Sequence, residues 1–319
     1  MDTLYSMLTL ALIFSTPIII ASLGGMFSER SGVVNIALEG LMMFGGFAGA
    51  TATVLLEPVF SGGFNWAPWI GLLFGIIVGV LISLIHAYLS VNVGADQVIS
   101  GTGINLLAAG ATVYLAQIIF NQQRTDTFQR GFVKQTVPGL SDIPVLGDIF
   151  FSNIYTTVYL AFILVVVSWF VIYKTPFGLR LRSTGENPHA SDSMGINVFK
   201  MRYIGVMLSG AFAGLAGAVM VLTQDTQYTV FSIHGTGFIA LAALIFGKWK
   251  PYGLLGASLF FGFSQILSLY STDISFLSSL PLEFFKALPY IITIIALVVF
   301  SSRAVGPKAA GEPYDKGKR

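Results

Sequence analysis

The chain has 319 residues, of which 55% are hydrophobic and only 10% are charged. A soluble domain carries roughly 25% charged residues, so this composition excludes a soluble fold and indicates a membrane protein. A net charge of +2 without a basic stripe argues against a nucleic-acid-binding surface. With no cysteine and three scattered histidines, the sequence indicates neither a disulfide nor a metal site.

Long apolar runs, several of them exceeding the roughly 20 residues that cross a bilayer as a helix, divide the chain into nine predicted transmembrane helices. The predicted spans are 5–26, 35–55, 69–89, 99–120, 154–173, 203–223, 235–247, 252–270 and 285–300. The seventh is short and flanked by glycine, which indicates a broken or tilted helix. We therefore predict one all-α, polytopic membrane domain over residues 1–303.

Polar segments separate these spans and orient them. Residues 121–153 are too hydrophilic to lie in lipid and are predicted to form an external loop. Lysine and arginine concentrate in 174–202, in 247–251 and after residue 302, and nine spans place all three regions on one face, the cytoplasmic one. The N-terminus is then outside and the C-terminus inside. The tail 304–319, rich in Gly, Pro and Lys, is predicted to be disordered and cytoplasmic.

Small residues recur at helical spacing in two of the predicted spans. Gly71, Gly75 and Gly79 repeat every four residues, and Gly210 and Gly214 do the same in a later span. Such spacing lets helix backbones approach closely in lipid, where the hydrophobic effect does not drive helices together. The stripes predict tight packing within one bundle, with a subunit interface as the alternative.

Ionisable and amide side chains inside a membrane cost free energy and need a reason. Glu39 lies one turn into the second span, and it either lines a pore or pairs near the cytoplasmic interface with a partner such as Arg30. The glycine-rich stretch 91–103 reads as irregular backbone, which survives at membrane depth only against protein or a wet cavity. Candidate residues of a translocation pathway are Asn35, Glu39, Gly40, Gln97 and Asn105.

The sequence shows no chemistry that could convert energy. It has no G-x-x-x-x-G-K-[ST] motif with which to bind and hydrolyse ATP. It also lacks a Ser/His/Asp set and a metal-binding motif, so we predict no catalytic residue, no cofactor and no enzymatic activity. If the protein pumps a solute, another subunit supplies the work.

Two stretches carry a family likeness, residues 28–43 with Ser-Glu-Arg-Ser-Gly and Ala-Leu-Glu-Gly, and residues 178–197 with Gly-Glu-Asn-Pro. A further match covers 208–217. Together they resemble the permease subunits of bacterial ABC importers in the ribose and branched-chain amino acid superfamily. The form of the first stretch is most similar to the nucleoside branch, which is linked to basic membrane lipoproteins.

The resemblance implies a multi-pass permease of the bacterial cell membrane that works with partners. These are a second homologous permease, an ABC ATPase subunit and an extracytoplasmic substrate-binding (lipo)protein. It also implies that 178–197 contains the coupling helix that docks on the ATPase, the alternative being a solvated basic loop. The implied coupling residues are Gly185, Glu186, Asn187, Pro188 and Gly195. Asn187 is a predicted helix cap and Pro188 a predicted first helical residue. The Glu-Ala-Ala opening common in other ABC permeases is absent.

The mechanism that follows is alternating access, driven by the partner ATPase and fed by the binding protein. Arg124, Arg130 and Lys134 in the external loop are candidate docking residues for that protein, with a solvated loop as the alternative. The predicted solute is a nucleoside, and simple sugars or branched-chain amino acids are the close alternatives. A stand-alone secondary carrier or channel is the alternative from another class.

Overall fold

A computed structural model describes residues 2–60, 64–270, 291 and 306–317 of the chain. The regular secondary structure of these residues is helical, apart from an isolated bridge between Gln135 and Ile154. The helices are α1 Asp2–Arg30, α2 Leu38–Leu56, α3 Ala67–Ala87, α4 Gln97–Phe120, α5 Leu146–Phe150, α6 Thr156–Lys174, α7 Pro176–Glu186, α8 Pro188–Ser193, α9 Val198–Gln224, α10 Thr236–Phe246 and α11 Pro251–Leu269. A π-helical turn, Tyr88–Val93, extends α3.

Seven of the described helices are long and apolar enough to cross a membrane: α1, α2, α3 with its π-helical extension, α4, α6, α9 and α11. Eight of the nine predicted spans coincide with a helix, because α10 also lies where the short seventh span is predicted. The ninth predicted span, 285–300, falls outside the described residues. The polytopic, all-α class is thereby confirmed, whereas the count of nine stays a prediction.

Glycines bring α2, α3 and α9 into direct backbone contact at the centre of the bundle. A Cβ added at Gly75 would lie 2.7 Å from the Ala218 Cβ and 2.9 Å from the carbonyl oxygen of Gly214. A Cβ at Gly45 or Gly79 would likewise overlap the α9 backbone. The predicted packing role of the glycine stripes within one bundle is confirmed.

The helices differ sharply in how much of their surface the bundle covers. Helix α1 runs through the middle, where it packs on α9, α10 and α11, and its residues from 15 to 29 are all buried. Helix α4 is peripheral, and Ile99 and Leu106 are each 73% exposed. Since α4 is apolar and long enough to span a bilayer, these side chains contact lipid or another subunit.

Three basic regions of the sequence meet at one end of the bundle. The Arg30 guanidinium donates to the carbonyl oxygen of Trp249 in the α10–α11 loop and lies 4.0 Å from the Glu186 carboxylate at the end of α7. The amide of Ala309 in the tail donates to the carbonyl oxygen of Gly185. The side of the membrane that this end faces stays a prediction. Residues 306–317 of the tail pack against this end of the bundle.

Candidate functional site

Glu39 in α2 binds the beginning of α10, which lies much later in the sequence. Its two carboxylate oxygens accept hydrogen bonds from the backbone amides of Gly235, at 2.8 Å, and Gly237, at 2.7 Å. Gly235 is the N-cap of α10 and Gly237 lies in its first turn, where backbone amides have no intrahelical partner. A carboxylate at a helix N-terminus also complements the positive end of the helix dipole. The hydrogen bonds of Glu39 go to α10 and those of Arg30 go to Trp249, whereas a pore-lining role for Glu39 stays a prediction.

This contact lies at a depth well inside the bundle. The neighbour of Glu39, Gly40, contacts Asn105, which is eight residues into α4 and so about 12 Å from its start. Helix α10 has 11 residues and is therefore about 16 Å long, roughly half the hydrocarbon thickness of a bilayer. Helix α10 is a half-helix, as its short, glycine-flanked sequence predicts.

The segment 225–235, which leads into α10, is non-helical and partly buried: Tyr228, Ser232 and Ile233 are buried, whereas Phe231 is 71% exposed. Tyr228 is 1% exposed, and its hydroxyl donates to the Thr112 hydroxyl in the middle of α4. Its backbone carbonyl accepts from Thr125 of the external segment, and the carbonyl of Thr226 accepts from Phe128. Irregular backbone at membrane depth requires such protein partners for its polar groups.

The other predicted pathway residues hold the loop between α1 and α2. Asn35 donates to Ser209 of α9, and Asn105 donates to the carbonyl oxygen of Ile36 while accepting from the amide of Gly40. Gln97 accepts from the amide of Val34. The structure brings Asn35, Glu39, Gly40, Gln97 and Asn105 together around residues 34–40, with their described hydrogen bonds directed at protein atoms.

A polar cavity of about 530 Å³ lies beside the start of α10. It is an open cleft bordered by α1, the end of α9, the segment 225–235 and the end of α11, and its apolar lining residues are Phe14, Met220, Ile239 and Leu269. Its polar lining residues are Gln224, Asp225, Ser232, His234, Thr236, Gln265 and Ser268. The side-chain nitrogen of Gln224 is buried there without a hydrogen-bond partner among the described atoms. The cavity therefore combines a carboxylate, an imidazole and amides with room for a small polar molecule.

A short helix, α8, lies in the predicted coupling segment and its predicted cap is confirmed, whereas the coupling role stays a prediction. The Asn187 side-chain oxygen accepts from the amide of Ala190 at 3.0 Å, and Pro188 is the first residue of α8. Gly195 has φ +79°, the left-handed conformation that ends helices and that side chains disfavour. Met194 beside it is 82% exposed, the most exposed of the large apolar side chains among the described residues.

The other two predicted coupling residues contact the end of α1. Gly185 packs so closely that an added Cβ would collide with the carbonyl oxygen of Arg30 and would lie 3.3 Å from the Gly32 nitrogen. Glu186 lies 4.0 Å from the Arg30 guanidinium. The α7–α8 corner is thereby fixed to the same residues that hold the α10–α11 loop.

The three basic residues of the segment 121–153, which is predicted to be external, lie at the opposite end. Arg124 and Arg130 are exposed, and the Lys134 ammonium is 5.7 Å from the centre of the Tyr155 ring. The segment rests on the loop that leads into α10, through the hydrogen bonds of Thr125 and Phe128. Whether these residues contact a partner stays a prediction.

Sequence analysis missed two buried residues that join helix ends. The Trp249 indole donates to the Glu29 carboxylate at 2.6 Å, which ties the loop after α10 to the end of α1. Tyr228 joins the irregular segment to α4. A buried tryptophan or tyrosine needs a partner for its polar atom, but its sequence gives no indication of which partner.

The comparisons with known proteins agree with this architecture. Residues 7–297 match the family model of the branched-chain amino acid transport system permease component. The chain is 51% identical over 308 residues to the guanosine ABC transporter permease protein NupQ of Bacillus subtilis, covering 97% of this chain and 96% of the relative. It is 42% identical to the nucleoside ABC transporter permease protein NupC of Lactococcus lactis, covering 99% of each chain. It is also 34% identical to the putative glucose ABC transporter permease protein TsgC13 of Haloferax volcanii, covering 82% of this chain and 76% of that protein.

The chain belongs to this family of ABC transporter permeases. It is thus a multi-pass membrane subunit and not an enzyme, and membership implies an ATPase and a substrate-binding protein as partners. The resemblance stated from the sequence motifs is confirmed.

Proposed function

We propose that this protein is the permease subunit of an ATP-driven importer for nucleosides. The observation that carries the proposal is the identity of 51% and 42% to a guanosine and a nucleoside permease over nearly the whole length of each chain. The glucose relative matches less of the chain at lower identity, which makes sugars the second choice.

The assembly that we propose contains a second homologous permease, ATPase subunits and an extracytoplasmic binding (lipo)protein. The helix α8, with its Asn187 cap and exposed Met194, has the form of a docking element at the end where the basic regions meet. Closure of the ATPase would move α8 and the α7–α8 corner. Since that corner contacts Arg30, and Arg30 binds Trp249, the movement would reach the loop at the end of α10.

The solute path in this proposal includes the cavity beside α10. Gln224, Asp225 and His234 offer the donors and acceptors that a nucleoside can use for its sugar hydroxyls and base edges. The five predicted pathway residues act indirectly, by positioning the backbone around the path. Glu39 fixes the start of α10, and the others fix residues 34–40.

The test of function is uptake in vesicles that contain the permease, its ATPase and its binding protein. We expect ATP-dependent uptake of radiolabelled guanosine, reduced by excess adenosine or uridine and not by ribose or leucine. Competition by ribose or leucine alone would favour the sugar or amino-acid alternatives. Uptake by the chain alone, driven by an ion gradient, would contradict an ABC permease.

The cavity has its own test, which uses bulky substitutions at matched places. Ser232→Trp fills the polar cavity beside α10 and is expected to abolish uptake while the permease still reaches the membrane. Ala48→Phe fills an apolar cavity of about 370 Å³ between α2 and α3 and serves as the control. Equal uptake by the two variants would contradict a path through the polar cavity.

A further inference from the structure

The described part of the C-terminal tail, residues 306–317, is bound to the bundle next to the coupling helix. The amide of Ala309 donates to the carbonyl oxygen of Gly185 at 2.9 Å, and the amide of Gly311 donates to the carbonyl oxygen of Gly32 at 3.3 Å. Ala309 is 4% exposed. We call residues 306–317 the C-terminal strap, since they bridge the end of α7 and the loop after α1.

A buried arginine anchors the strap from below. Arg202, in the second turn of α9, is 1% exposed, and its Nη1 donates to the carbonyl oxygen of Glu312 at 2.8 Å. A guanidinium held away from water costs free energy unless acceptors surround it. The strap supplies one acceptor directly and the Glu312 charge nearby, which favours the seated position.

Tyr314 connects the strap to the coupling helix itself. It is 9% exposed, and its ring centre lies 5.2 Å from that of His189 in α8 and 5.6 Å from that of Phe199 in α9. Aromatic rings at these separations attract each other. Tyr314 therefore joins α8 to α9 through the strap.

Helix α8 needs such support because it is very short. It has six residues, and a helix of this length is unstable by itself in water. Pro188 and Ser191 are its buried residues, whereas Met194 at its end points away from the bundle and is 82% exposed. The orientation of Met194 is therefore set by what α8 packs against, namely α7, α9 and the strap.

We propose that the C-terminal strap is a positioning element of the coupling site, which holds α8 in the orientation that its ATPase partner engages. This inference rests on the proposed function only in taking the occupant of α8 to be the ATPase. The strap is then part of the docking surface, with Tyr314 as its main contact to α8 and Arg202 as its anchor.

The first test removes the ring of Tyr314. Tyr314→Ala is expected to lower guanosine uptake per ATP hydrolysed about fivefold in the assembled transporter, the size of effect that roughly one lost aromatic contact produces. Tyr314→Phe keeps the ring but loses the hydrogen bond of the hydroxyl with Asp192 in α8, and is expected to restore most of the ratio. The control is Tyr252→Ala, which removes the contact between the rings of Tyr252 in α11 and Trp169 in α6, whose centres are 5.9 Å apart. This variant should leave the ratio of uptake to ATP hydrolysis unchanged. An unchanged ratio for Tyr314→Ala would overturn the proposal.

The second test replaces the ring contact between α8 and the strap with a covalent link. The protein contains no cysteine, so the double substitution His189→Cys/Tyr314→Cys gives one addressable pair. Without the Tyr314 ring, the unlinked double variant should show the lowered uptake per ATP of Tyr314→Ala, and a short bifunctional thiol reagent that links the pair in the full transporter should restore it. Failure to link, or loss of uptake on linking, would overturn the proposal that the strap stays bound to α8 during transport. Absence of ATP-dependent uptake by the unsubstituted transporter would instead contradict the proposed function.

Discussion

Glu39 illustrates how one carboxylate can decide the placement of a half-helix. Glu39→Ala leaves the amides of Gly235 and Gly237 without their acceptor, and we expect a loss of about 1–3 kcal/mol in stability for such unsatisfied groups. Glu39→Gln keeps one acceptor oxygen and should lose less. Thermal unfolding of the detergent-purified permease measures the order.

The matched control for this prediction is Glu57→Ala. Glu57 also accepts a backbone amide, that of Gln129, but at an exposed site, so the change in stability should stay within about 0.5 kcal/mol. Equal unfolding temperatures for the Glu39 and Glu57 variants would show that Glu39 does not stabilise α10.

A second prediction for a single residue concerns Gly195, where the backbone conformation and not the surrounding space restricts substitution. An added Cβ would meet nothing within 4 Å, yet φ is +79°, which costs an L side chain roughly 1–2 kcal/mol. Gly195→Val is therefore expected to disturb the end of α8 and abolish uptake, with normal membrane insertion. Gly195→Asn, which tolerates this conformation, should retain most of it. Normal transport by the valine variant would count against the coupling role.

Sequence analysis located chemically unusual residues but not their partners. Asn187 and Pro188 are predicted correctly as a cap and a first helical residue, because capping depends on neighbours within four positions. Glu39 is recognisable as costly, but its contact with Gly237 joins residues 198 positions apart. Such a pairing follows from helix packing, which a single sequence does not encode in any local pattern.

At the scale of whole helices, the glycine seam between α2, α3 and α9 makes the clearest prediction. Gly214→Ala adds a Cβ that overlaps the backbone of Gly75, and forcing the helices apart is expected to cost about 1–3 kcal/mol. Gly110→Ala in α4 is the control, since an added Cβ there meets nothing within 4 Å. The two unfolding temperatures of purified protein give the comparison, and a Gly214→Ala variant as stable as the control would contradict the seam.

Long apolar helices were predictable, whereas irregular elements were not. Eight predicted spans coincide with helices because hydropathy over about 20 residues reports directly on the lipid environment. The positions of the segment 225–235 and of the tail could not be predicted in this way, since hydrogen bonds to residues distant in sequence determine them. Residues 306–317 have a composition typical of disorder, yet Arg202, Gly185 and Gly32 supply partners that fix them.

At the scale of the whole molecule, contacts connect the two ends of the bundle. The α7–α8 corner contacts the end of α1 through Gly185 and Arg30, and Glu29 and Arg30 both bind Trp249 just after α10. The start of α10 is held by Glu39, and the segment before it carries the external loop. Because α10 contacts both regions, it is the element through which events at the ATPase and at the binding protein would reach the same cavity.

The last prediction concerns the segment 121–153, which is hydrogen-bonded to the residues that lead into α10. Reversing charge with Arg124→Glu/Arg130→Glu should weaken docking of a binding protein and raise the concentration of that protein needed for half-maximal uptake, with little change at saturation. The effect should shrink as salt rises, since exposed charges are screened over about 10 Å at 0.1 M ionic strength. The control is Lys248→Glu, which changes one charge at the opposite end. The prediction is wrong if the double variant and the unsubstituted transporter show the same uptake at a low concentration of binding protein and low salt. This surface would then not be the docking site.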